Sequence, residues 1–507
     1  MADHQGVSLS VSVPLLVNYG CLKPQEDSDV ENLSFDDQGS LYYHYYRKLR
    51  PSVTQFIEEV KQLYRIALPL IITGLLIYGK SAISIFFMGK LGKETLAGGS
   101  LSIGIANITG YSIISGLAMG MEAISSQACG AKRWTLMGKT LQRTIVILIL
   151  ACIPISLLWL NSEPILIFCG QDPKISSIAS TYLAFLPPDL ILQSVINPLK
   201  IYLRTQNTTF PLIFSAAFSL ALHAPINYLL VHHFKLGIQG IAVTAAITDF
   251  NLLASLLLYL FSSGVCNKSW QGWSLQCFNE WKPILALAIP SCVSVCLEWW
   301  WYELMIVLSG LLSNAPDAVA TMGILIQATS LVYIFPSSLS QAVSTRVGNE
   351  LGASQPRKAK VSSITALLCA MFTSVLALLF MTTTRYPWGQ IFTQDSEILA
   401  LTVAAMPVVG LSEVGNFPQT TGCGVLRGSA RPTLGSNINL ISFYGVGLPT
   451  ALLMGFVVGL GFVGLWLGLV AAQFVCAIIM VMTLVRTDWE VEASRARERT
   501  GIGGGGE

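Results

Sequence analysis

Twelve long stretches of apolar residues, separated by short polar segments, run along the chain from about residue 66 to residue 486. Each has roughly the 20 apolar residues that an α-helix needs to cross the hydrocarbon core of a bilayer. Apolar residues make up 53% of the 507 residues and charged residues only 11%, against about 25% charged in a soluble domain. The pattern predicts an all-α polytopic membrane protein with twelve transmembrane helices, at 66–88, 96–125, 140–160, 178–200, 208–231, 239–263, 284–311, 317–343, 362–384, 397–422, 433–457 and 462–486.

Short landmarks recur in the same order about 222 residues apart, which indicates that the chain contains one unit twice. The pair Gly130-Ala131 recurs as Gly352-Ala353, and Leu203-Arg204 recurs as Leu426-Arg427. The segment FCGQDPKI at 168–175 likewise matches IFTQDSEI at 391–398. Internal repeats of this size are typical of membrane transporters. We therefore expect two pseudo-symmetric six-helix lobes.

Basic residues are concentrated in one set of alternate loops, which holds thirteen Lys and Arg residues against five in the opposite set. Because Lys and Arg are retained on the cytoplasmic side of a membrane, both termini are predicted to be cytoplasmic. The predicted organisation is an N-terminal tail at 1–57, an N-terminal lobe at 58–264, a cytoplasmic linker at 265–283, a C-terminal lobe at 284–486 and a C-terminal tail at 487–507. The N-terminal tail is expected to be disordered, and its stretch LYYHYYRKLR at 41–50 either lies on the cytoplasmic membrane surface or is a plain linker. The C-terminal tail is expected to be solvated and flexible.

Patterns that suggest other kinds of chemistry do not fit this context. The segment GLLIYGKS at 74–81 matches the phosphate-binding pattern GxxxxGK[ST], but it lies inside an apolar span and not between a strand and a helix. No nucleophile, cofactor motif or metal-ligand cluster is recognisable, so we expect neither an enzyme nor a metal site. A net charge of only +2 argues against nucleic acid as a partner.

Ionisable residues inside membrane spans are rare and costly, which makes each of them a candidate for function. The clearest group lies in the seventh span, in the sequence CLEWWWYE at 296–303. Glu298, Trp301 and Tyr302 share one face of a helix, whereas Glu303 points about 140° away from Glu298. A desolvated carboxylate can hold or release a proton, and aromatic side chains can bind a flat or cationic substrate. The alternative is that the tryptophans only pack and that both acids make structural hydrogen bonds.

The repeat relates other ionisable residues to this group. Asp189 corresponds to a position beside Glu413, so each half is expected to carry an acid at a similar depth of its fourth helix. Lys80 corresponds to Tyr302, and we expect it either to pair with Asp189 or to bind an anionic substrate.

Two further acids complete the set of candidates. Asp249 in the sixth span has no predicted partner, and Glu122 is expected to cap a helix or to pair with Lys132 or Arg133 in the next loop. The predicted proton-coupling residues are Glu298, Glu303, Glu413 and Asp189, and the predicted substrate-binding residues are Trp301, Tyr302, Lys80, Gln327 and Asn416.

Several motifs, in this order along the chain, resemble those of the multidrug and toxic compound extrusion (MATE) family, particularly its plant branch. They are QACGA at 127–131, CLEWWWYE at 296–303, STRVGNELGA at 344–353 and GVLRG at 424–428, and the resemblance covers about residues 60 to 490. It implies a V-shaped pair of six-helix lobes that exports organic solutes in exchange for protons. It also implies that Glu298 and Glu303 match the acids that the family uses on its seventh helix.

One position departs from the family pattern. Family members often have an acid eleven residues before the Arg of the GVxRG motif, and Asn416 stands there in this chain. Glu413 lies three residues earlier, about one helical turn away. Either Glu413 substitutes for the missing acid, or coupling to protons is weak.

The leading hypothesis is a secondary active transporter that exports organic solutes by alternating access, with a proton gradient as its energy source and no other cofactor. One alternative is an organic-anion transporter with weak proton coupling, and another is a signalling or scaffold protein that binds regulators through its N-terminal tail. A lipid-linked-sugar flippase is disfavoured because such proteins usually have fourteen spans. The protein is expected to work as a monomer in the plasma membrane or an endomembrane (vacuole, Golgi or late endosome).

Overall fold

The computed structural model describes residues 53–270 and 272–501, and every regular element in that part of the chain is helical. Eleven helices are individually long and apolar enough to cross a membrane, and a bent pair completes a twelfth span. In chain order the spans are α1 Val53–Lys90, α2 Lys93–Gly130, α3 Trp134–Leu160, α4 Pro173–Ala184 with Pro187–Thr205, α5 Phe210–His233, α6 Gly237–Ser263, α7 Lys282–Ser309, α8 Ala315–Gly352, α9 Pro356–Phe392, α10 Ser396–Gly428, α11 Pro432–Val457 and α12 Gly461–Val485. The predicted all-α fold with twelve spans is confirmed.

Several helices are longer than the apolar stretches that predict them. Helices α1 and α8 have 38 residues each, which corresponds to about 57 Å, nearly twice the thickness of a hydrocarbon core. The α4 span bends by 48° between its two segments. Its second segment begins with Pro187 and Pro188, which lack the N–H groups that would continue the hydrogen bonds of the preceding turn.

The two lobes pack in the same way, as the internal repeat predicts. In the N-terminal lobe, α4 packs against α2, α3 and α6. In the C-terminal lobe, its counterpart α10 packs against α8, α9 and α12, which are the counterparts of those three helices. The fourth helix of each repeat is therefore central to its lobe, and residues on it are well placed to reach the lobe interior.

The lobes meet closely at the end of the bundle where α1 begins and α12 ends, which we call the terminal face. A Cβ atom on Gly130 would lie 2.0 Å from the carbonyl oxygen of Asn349, and one on Gly352 would lie 2.0 Å from that of Gln127. Gly130 and Gly352 are repeat counterparts, and so are Gln127 and Asn349. The glycines are therefore needed because the two copies of one turn approach each other backbone to backbone.

The chain after α12 differs from the predicted flexible tail. Residues Trp489–Thr500 form a helix, α13, whose first turn is capped by Asp488 through the N–H of Glu490 at 3.0 Å. Ala493 and Ala496 are buried where α13 packs against α2, α8 and α9. The expectation of a flexible C-terminal tail is therefore wrong for this segment.

The N-terminal tail predicted at 1–57 lies mostly outside the described residues. Helix α1 already begins at Val53, so the last five residues of the predicted tail are helical. The connection between the lobes, predicted at 265–283, contains a short 3₁₀ helix at Leu275–Phe278, and α7 begins at Lys282.

Candidate functional site

The interior of the C-terminal lobe holds two buried carboxyl groups. Glu298 on α7 is 7% exposed and Glu413 on α10 is 1% exposed. The two side chains interact electrostatically with each other, and the side chain of Tyr302 on α7 interacts with both. The structure thus brings together three of the predicted site residues.

Neutral polar groups surround these two acids. The Glu298 carboxyl group interacts with the side chains of Tyr333 on α8 and Gln419 on α10. Asn416 donates a hydrogen bond from Nδ2 to Glu413 Oε2 at 2.8 Å. Within residues 53–270 and 272–501, neither carboxyl group forms an ion pair with Lys or Arg. The negative charge that either acid can carry is therefore not neutralised by a direct cationic partner.

Asn416 lies where the family resemblance implies an acid. The hydroxyl group of Thr420 donates to Asn416 Oδ1 at 3.0 Å, which leaves the Asn416 amino group to face Glu413. The direct contact between Asn416 and Glu413 places the Glu413 carboxyl group beside the position of the missing acid. The one-turn spacing between the two residues accounts for this proximity.

Glu303 faces a different part of the molecule. Its Oε1 atom lies 3.5 Å from the place that a Cβ atom on Gly104 of α2 would occupy. Glu303 is therefore directed at the N-terminal lobe, whereas Glu298 faces the interior of its own lobe. The angle between the two side chains on α7 predicts this divergence.

Trp301 is packed inside the C-terminal lobe. It is fully buried, and its ring centroid lies 5.7 Å from that of Phe443 and 6.2 Å from that of Tyr444 on α11. A Cβ atom on Gly447 of the same helix would lie 3.0 Å from Trp301 Cη2. Trp301 is thus packed against α11, and its role in substrate binding stays a prediction.

Gln327 on α8 lies at the boundary between the lobes. The hydroxyl group of Tyr78 on α1 donates to Gln327 Oε1 at 3.4 Å. Both side chains are partly buried. Gln327 therefore faces the N-terminal lobe. The role of Gln327 in substrate binding stays a prediction.

The interior of the N-terminal lobe contains a buried ion pair. Lys80 Nζ on α1 lies 2.5 Å from Asp249 Oδ1 on α6, and Gln193 on α4 donates to Asp249 Oδ2 at 2.5 Å. Asp189 instead accepts a hydrogen bond from the hydroxyl group of Tyr111 at 2.5 Å. The direct partner of Lys80 is therefore Asp249 and not the predicted Asp189, which interacts with both at longer range. The repeat offset gives the depth of a residue but not the direction of its side chain.

Sequence reasoning missed the second cation of this lobe. Lys200 lies seven residues after Gln193 and eleven after Asp189, so all three share one face of α4. It interacts electrostatically with Asp249 and Lys80, but it makes no hydrogen bond or ion pair within the described part of the chain. The helical spacing from Asp189 and Gln193 could have identified Lys200. Because Lys200 is the last residue of the predicted span at 178–200, it resembles a lysine at the membrane interface.

A buried ionic network joins the lobes at the terminal face. Glu122 on α2 is 2% exposed and forms ion pairs with Arg204 on α4 and with Arg427 on α10, the latter at 2.9 Å. Ser344 on α8 donates to Glu122 Oε2 at 3.0 Å. The predicted pairing of Glu122 with a basic loop residue is wrong, because its carboxylate points between the lobes.

This network, which we call the Glu122 network, follows the repeat in one respect and breaks it in another. Arg204 and Arg427 are repeat counterparts, 223 residues apart. Glu122 and Ser344 are also counterparts, 222 residues apart. Both lobes thus contribute the same arginine, but only the N-terminal lobe contributes the acid that holds them together.

Comparisons with known proteins agree with this architecture. The family model MatE matches residues 69–229 and 290–453, one segment in each lobe. Protein DETOXIFICATION 48 of Arabidopsis thaliana is 52% identical over 496 residues, which cover 96% of this chain and 93% of that protein. Protein DETOXIFICATION 49 of the same plant is 56% identical over 443 residues, which cover 87% and 88%.

A solved structure supports the same assignment. The crystal structure of the eukaryotic MATE transporter AtDTX14 matches with a TM-score of 0.85 at 32% sequence identity, covering 88% of this chain and all of that one. The relatives are membrane transporters and not enzymes, and the chain is an integral membrane protein whose partners are a small-molecule substrate and the lipid bilayer. The chain belongs to the MatE family of membrane transporters.

Proposed function

We propose that the protein exports organic solutes in exchange for protons, with Glu298 and Glu413 as the proton site. The observation that carries this proposal is the pair of buried acids in the C-terminal lobe, whose direct partners are neutral polar groups. Like charges that interact in an apolar environment disfavour each other's ionised form. At least one of the two acids therefore holds a proton until a bound substrate displaces that proton.

The proposed cycle combines this site with the Glu122 network. While the network keeps the terminal face closed, the C-terminal lobe is reached from the opposite side, and protonation of Glu298 removes the charge that holds the substrate. Separation of Glu122 from Arg427 then opens the terminal face. The proton leaves into the less acidic compartment, a new substrate binds, and the two repeats rock back.

Orientation and assembly belong to the same proposal. The excess of Lys and Arg in the loops of the terminal face supports a cytoplasmic location for that face and for both termini. The closure between repeat counterparts occurs within one chain, which supports a monomer as the working unit. The proposed location is the plasma membrane or an endomembrane.

A second candidate function is the export of organic anions with weak proton coupling. The observation in its favour is Lys200, which lies in the N-terminal lobe without a direct acidic partner in the described part of the chain. A cation at that depth can attract an anionic substrate.

The test uses proteoliposomes loaded with a mixture of aromatic amines and aromatic carboxylates, with loss of each compound followed by mass spectrometry under an imposed pH gradient. Glu298→Gln should abolish gradient-driven loss. The matched control is Glu397→Gln, an exposed acid in the first turn of α10, which should transport normally. Unchanged transport by Glu298→Gln would refute the proton site, and loss of carboxylates alone would favour the second candidate.

A further inference from the structure

A basic pocket opens on the terminal face, apart from the lobe interiors. It has a volume of about 920 Å³ and lies between the start of α3, the connection between the lobes and the end of α13. Its basic lining residues are Lys132, Arg133, Lys139, Arg143, Lys268 and Arg499. Among the described residues that line the pocket, two are acidic, Glu280 and Glu498. The pocket therefore carries a clear excess of positive charge.

Most of this positive charge is not neutralised within the pocket. Arg143 is paired with Glu280 at 2.6 Å. The side chains of Lys132, Lys139 and Lys268 make no hydrogen bond or ion pair with any residue in 53–270 or 272–501. Three ammonium groups at one concave surface repel one another unless an anion lies between them.

The two arginines that complete the positive lining bind neutral groups. Arg133 donates to the carbonyl oxygen of Gly501 at 3.1 Å. Arg499 donates to Gln127 Oε1 at 3.4 Å. Neither guanidinium group forms an ion pair within the described residues, and each retains N–H groups that can bind an anion.

The walls of the pocket are held in place by their own contacts. Gln142 on α3 donates to the carbonyl oxygen of Gly272 at 2.7 Å and accepts from the N–H of Ser274 at 3.2 Å. A Cβ atom on Gly138 would lie 2.0 Å from the carbonyl oxygen of Ser269, so the connection lies directly against α3. A pocket whose walls are already ordered loses little entropy when a ligand binds.

Apolar side chains flank the pocket on the connection between the lobes. Trp273, Leu275 and Phe278 are 64%, 86% and 59% exposed. Exposed aromatic and aliphatic side chains next to basic residues are typical of the region where a protein meets lipid headgroups. A ligand in the pocket would therefore lie close to the membrane surface.

We propose that this pocket binds a ligand with several phosphate groups, namely the phosphorylated inositol headgroup of an anionic lipid. Lysine ammonium groups and arginine forks are the side chains that bind phosphate oxygens most strongly. The exposed apolar side chains beside the pocket favour a ligand that remains attached to the membrane. A soluble inositol phosphate has the same headgroup chemistry, and the experiment separates the two sources.

The position of the pocket gives the ligand a structural consequence. Lys132 and Lys139 belong to the N-terminal lobe, whereas Arg499 belongs to α13, which packs on α8 and α9 of the C-terminal lobe as well as on α2. A phosphorylated headgroup that contacts both sides holds α13 against the N-terminal lobe. The bound lipid thereby stabilises the closed terminal face.

The test measures binding of the full-length protein in nanodiscs that contain phosphatidylinositol bisphosphate, phosphatidylserine at equal total charge, or neither. The pocket variant is Lys132→Gln/Lys139→Gln/Lys268→Gln. The control variant, Arg357→Gln/Lys358→Gln/Lys360→Gln, removes three basic side chains at the start of α9 that do not line the pocket. We expect the pocket variant to weaken binding of the bisphosphate lipid at least about tenfold, and the control variant less than about twofold.

The outcomes separate the possibilities. Equal losses in both variants, or equal binding of phosphatidylserine, would overturn the proposal, because the attraction would then be a general effect of surface charge. Inositol hexakisphosphate in solution provides the second arm, and pocket-dependent binding of it without lipid binding would support the phosphate chemistry and overturn the lipid source. Binding is measured without transport, so this result is independent of the proposed proton site. An unchanged melting temperature of the ligand-free pocket variant shows that it folds.

Discussion

The interiors of the two lobes carry ionisable side chains at related depths but balance their charge in different ways. In the N-terminal lobe, Lys80 and Asp249 neutralise each other at 2.5 Å. In the C-terminal lobe, Glu298 and Glu413 interact with each other, and their direct partners among the described residues are neutral polar groups. The N-terminal interior thus contains an acid with a direct cationic partner, beside a second buried acid, Asp189, that contacts Tyr111 and interacts with Asp249. In the C-terminal interior, neither Glu298 nor Glu413 has a direct cationic partner among the described residues.

The terminal face shows the same kind of asymmetry. Arg204 and Arg427 occupy equivalent positions, but only one copy of the repeat supplies an acid, Glu122, and the other copy has Ser344. One acid that binds both arginines joins the lobes, whereas an acid in each copy would give each lobe its own internal pair. The single acid therefore makes one contact within its own lobe, to Arg204, and one between the lobes, to Arg427.

The largest expected effect tests the paired interior of the N-terminal lobe. Lys80→Met leaves Asp249 buried without its cation, and removal of one partner of a buried ion pair costs about 3–5 kcal/mol. Glu298→Gln, by contrast, should change the free energy of unfolding by less than about 1 kcal/mol, because no cation is left unpaired. Thermal unfolding in detergent measures both variants.

The control for this difference is the double variant Lys80→Met/Asp249→Asn. It removes both charges and should recover most of the lost stability, because no unpaired charge remains in the interior. If Lys80→Met is as stable as Glu298→Gln, the contrast between the two interiors does not hold.

The next effect tests the asymmetry of the terminal face. Glu122→Gln removes the charge that binds two arginines, and hydrogen bonds to charged groups contribute about 1.5–3 kcal/mol each. We expect the terminal face to open in a large fraction of molecules. The distance between spin labels at positions 132 and 357, measured by pulsed electron resonance, reports this opening.

Ser344→Ala is the matched control, because it changes the repeat counterpart of Glu122 and removes one neutral hydrogen-bond donor. It should shift the same distance distribution only slightly. Similar opening in both variants would show that the charge of Glu122 is not what keeps the terminal face closed.

The sequence predicts these features unevenly. The number of spans, the repeat and the proximity of Glu413 to Asn416 follow from hydropathy and from spacing along helices. The partner of Lys80 and the burial of Trp301 do not, because they depend on how far each helix is rotated about its own axis. Irregular turns contribute to this rotation. Tyr111 is the last residue of a π-helical turn at Asn107–Tyr111, and Trp301 packs against a second π-helical segment at Leu440–Gly447. An apolar pattern does not reveal a single inserted residue of this kind.

A smaller effect sharpens the comparison at the level of single hydrogen bonds. Each interior contains an amide that donates to a carboxyl group: Gln193 to Asp249 at 2.5 Å and Asn416 to Glu413 at 2.8 Å. A hydrogen bond to an ionised group contributes about 1.5–3 kcal/mol, and one between neutral groups about 1 kcal/mol. If Asp249 is ionised and Glu413 holds a proton, double-mutant cycles on unfolding should give the larger coupling energy for the first pair. Equal coupling energies would indicate the same charge state in both lobes.

The smallest expected effect on stability concerns Lys200, a cation of the N-terminal interior that the ion pair of Lys80 and Asp249 does not include. Lys200→Met should change the free energy of unfolding by less than about 0.5 kcal/mol, because no acid within the described residues loses a direct partner. Comparison with Lys80→Met therefore separates a cation that stabilises the fold from one that is available to a ligand. If Lys200 attracts anionic substrates, the variant should lose export of aromatic carboxylates and keep export of aromatic amines. A large loss of stability would instead make Lys200 part of the structural charge balance and remove the main support for anion export.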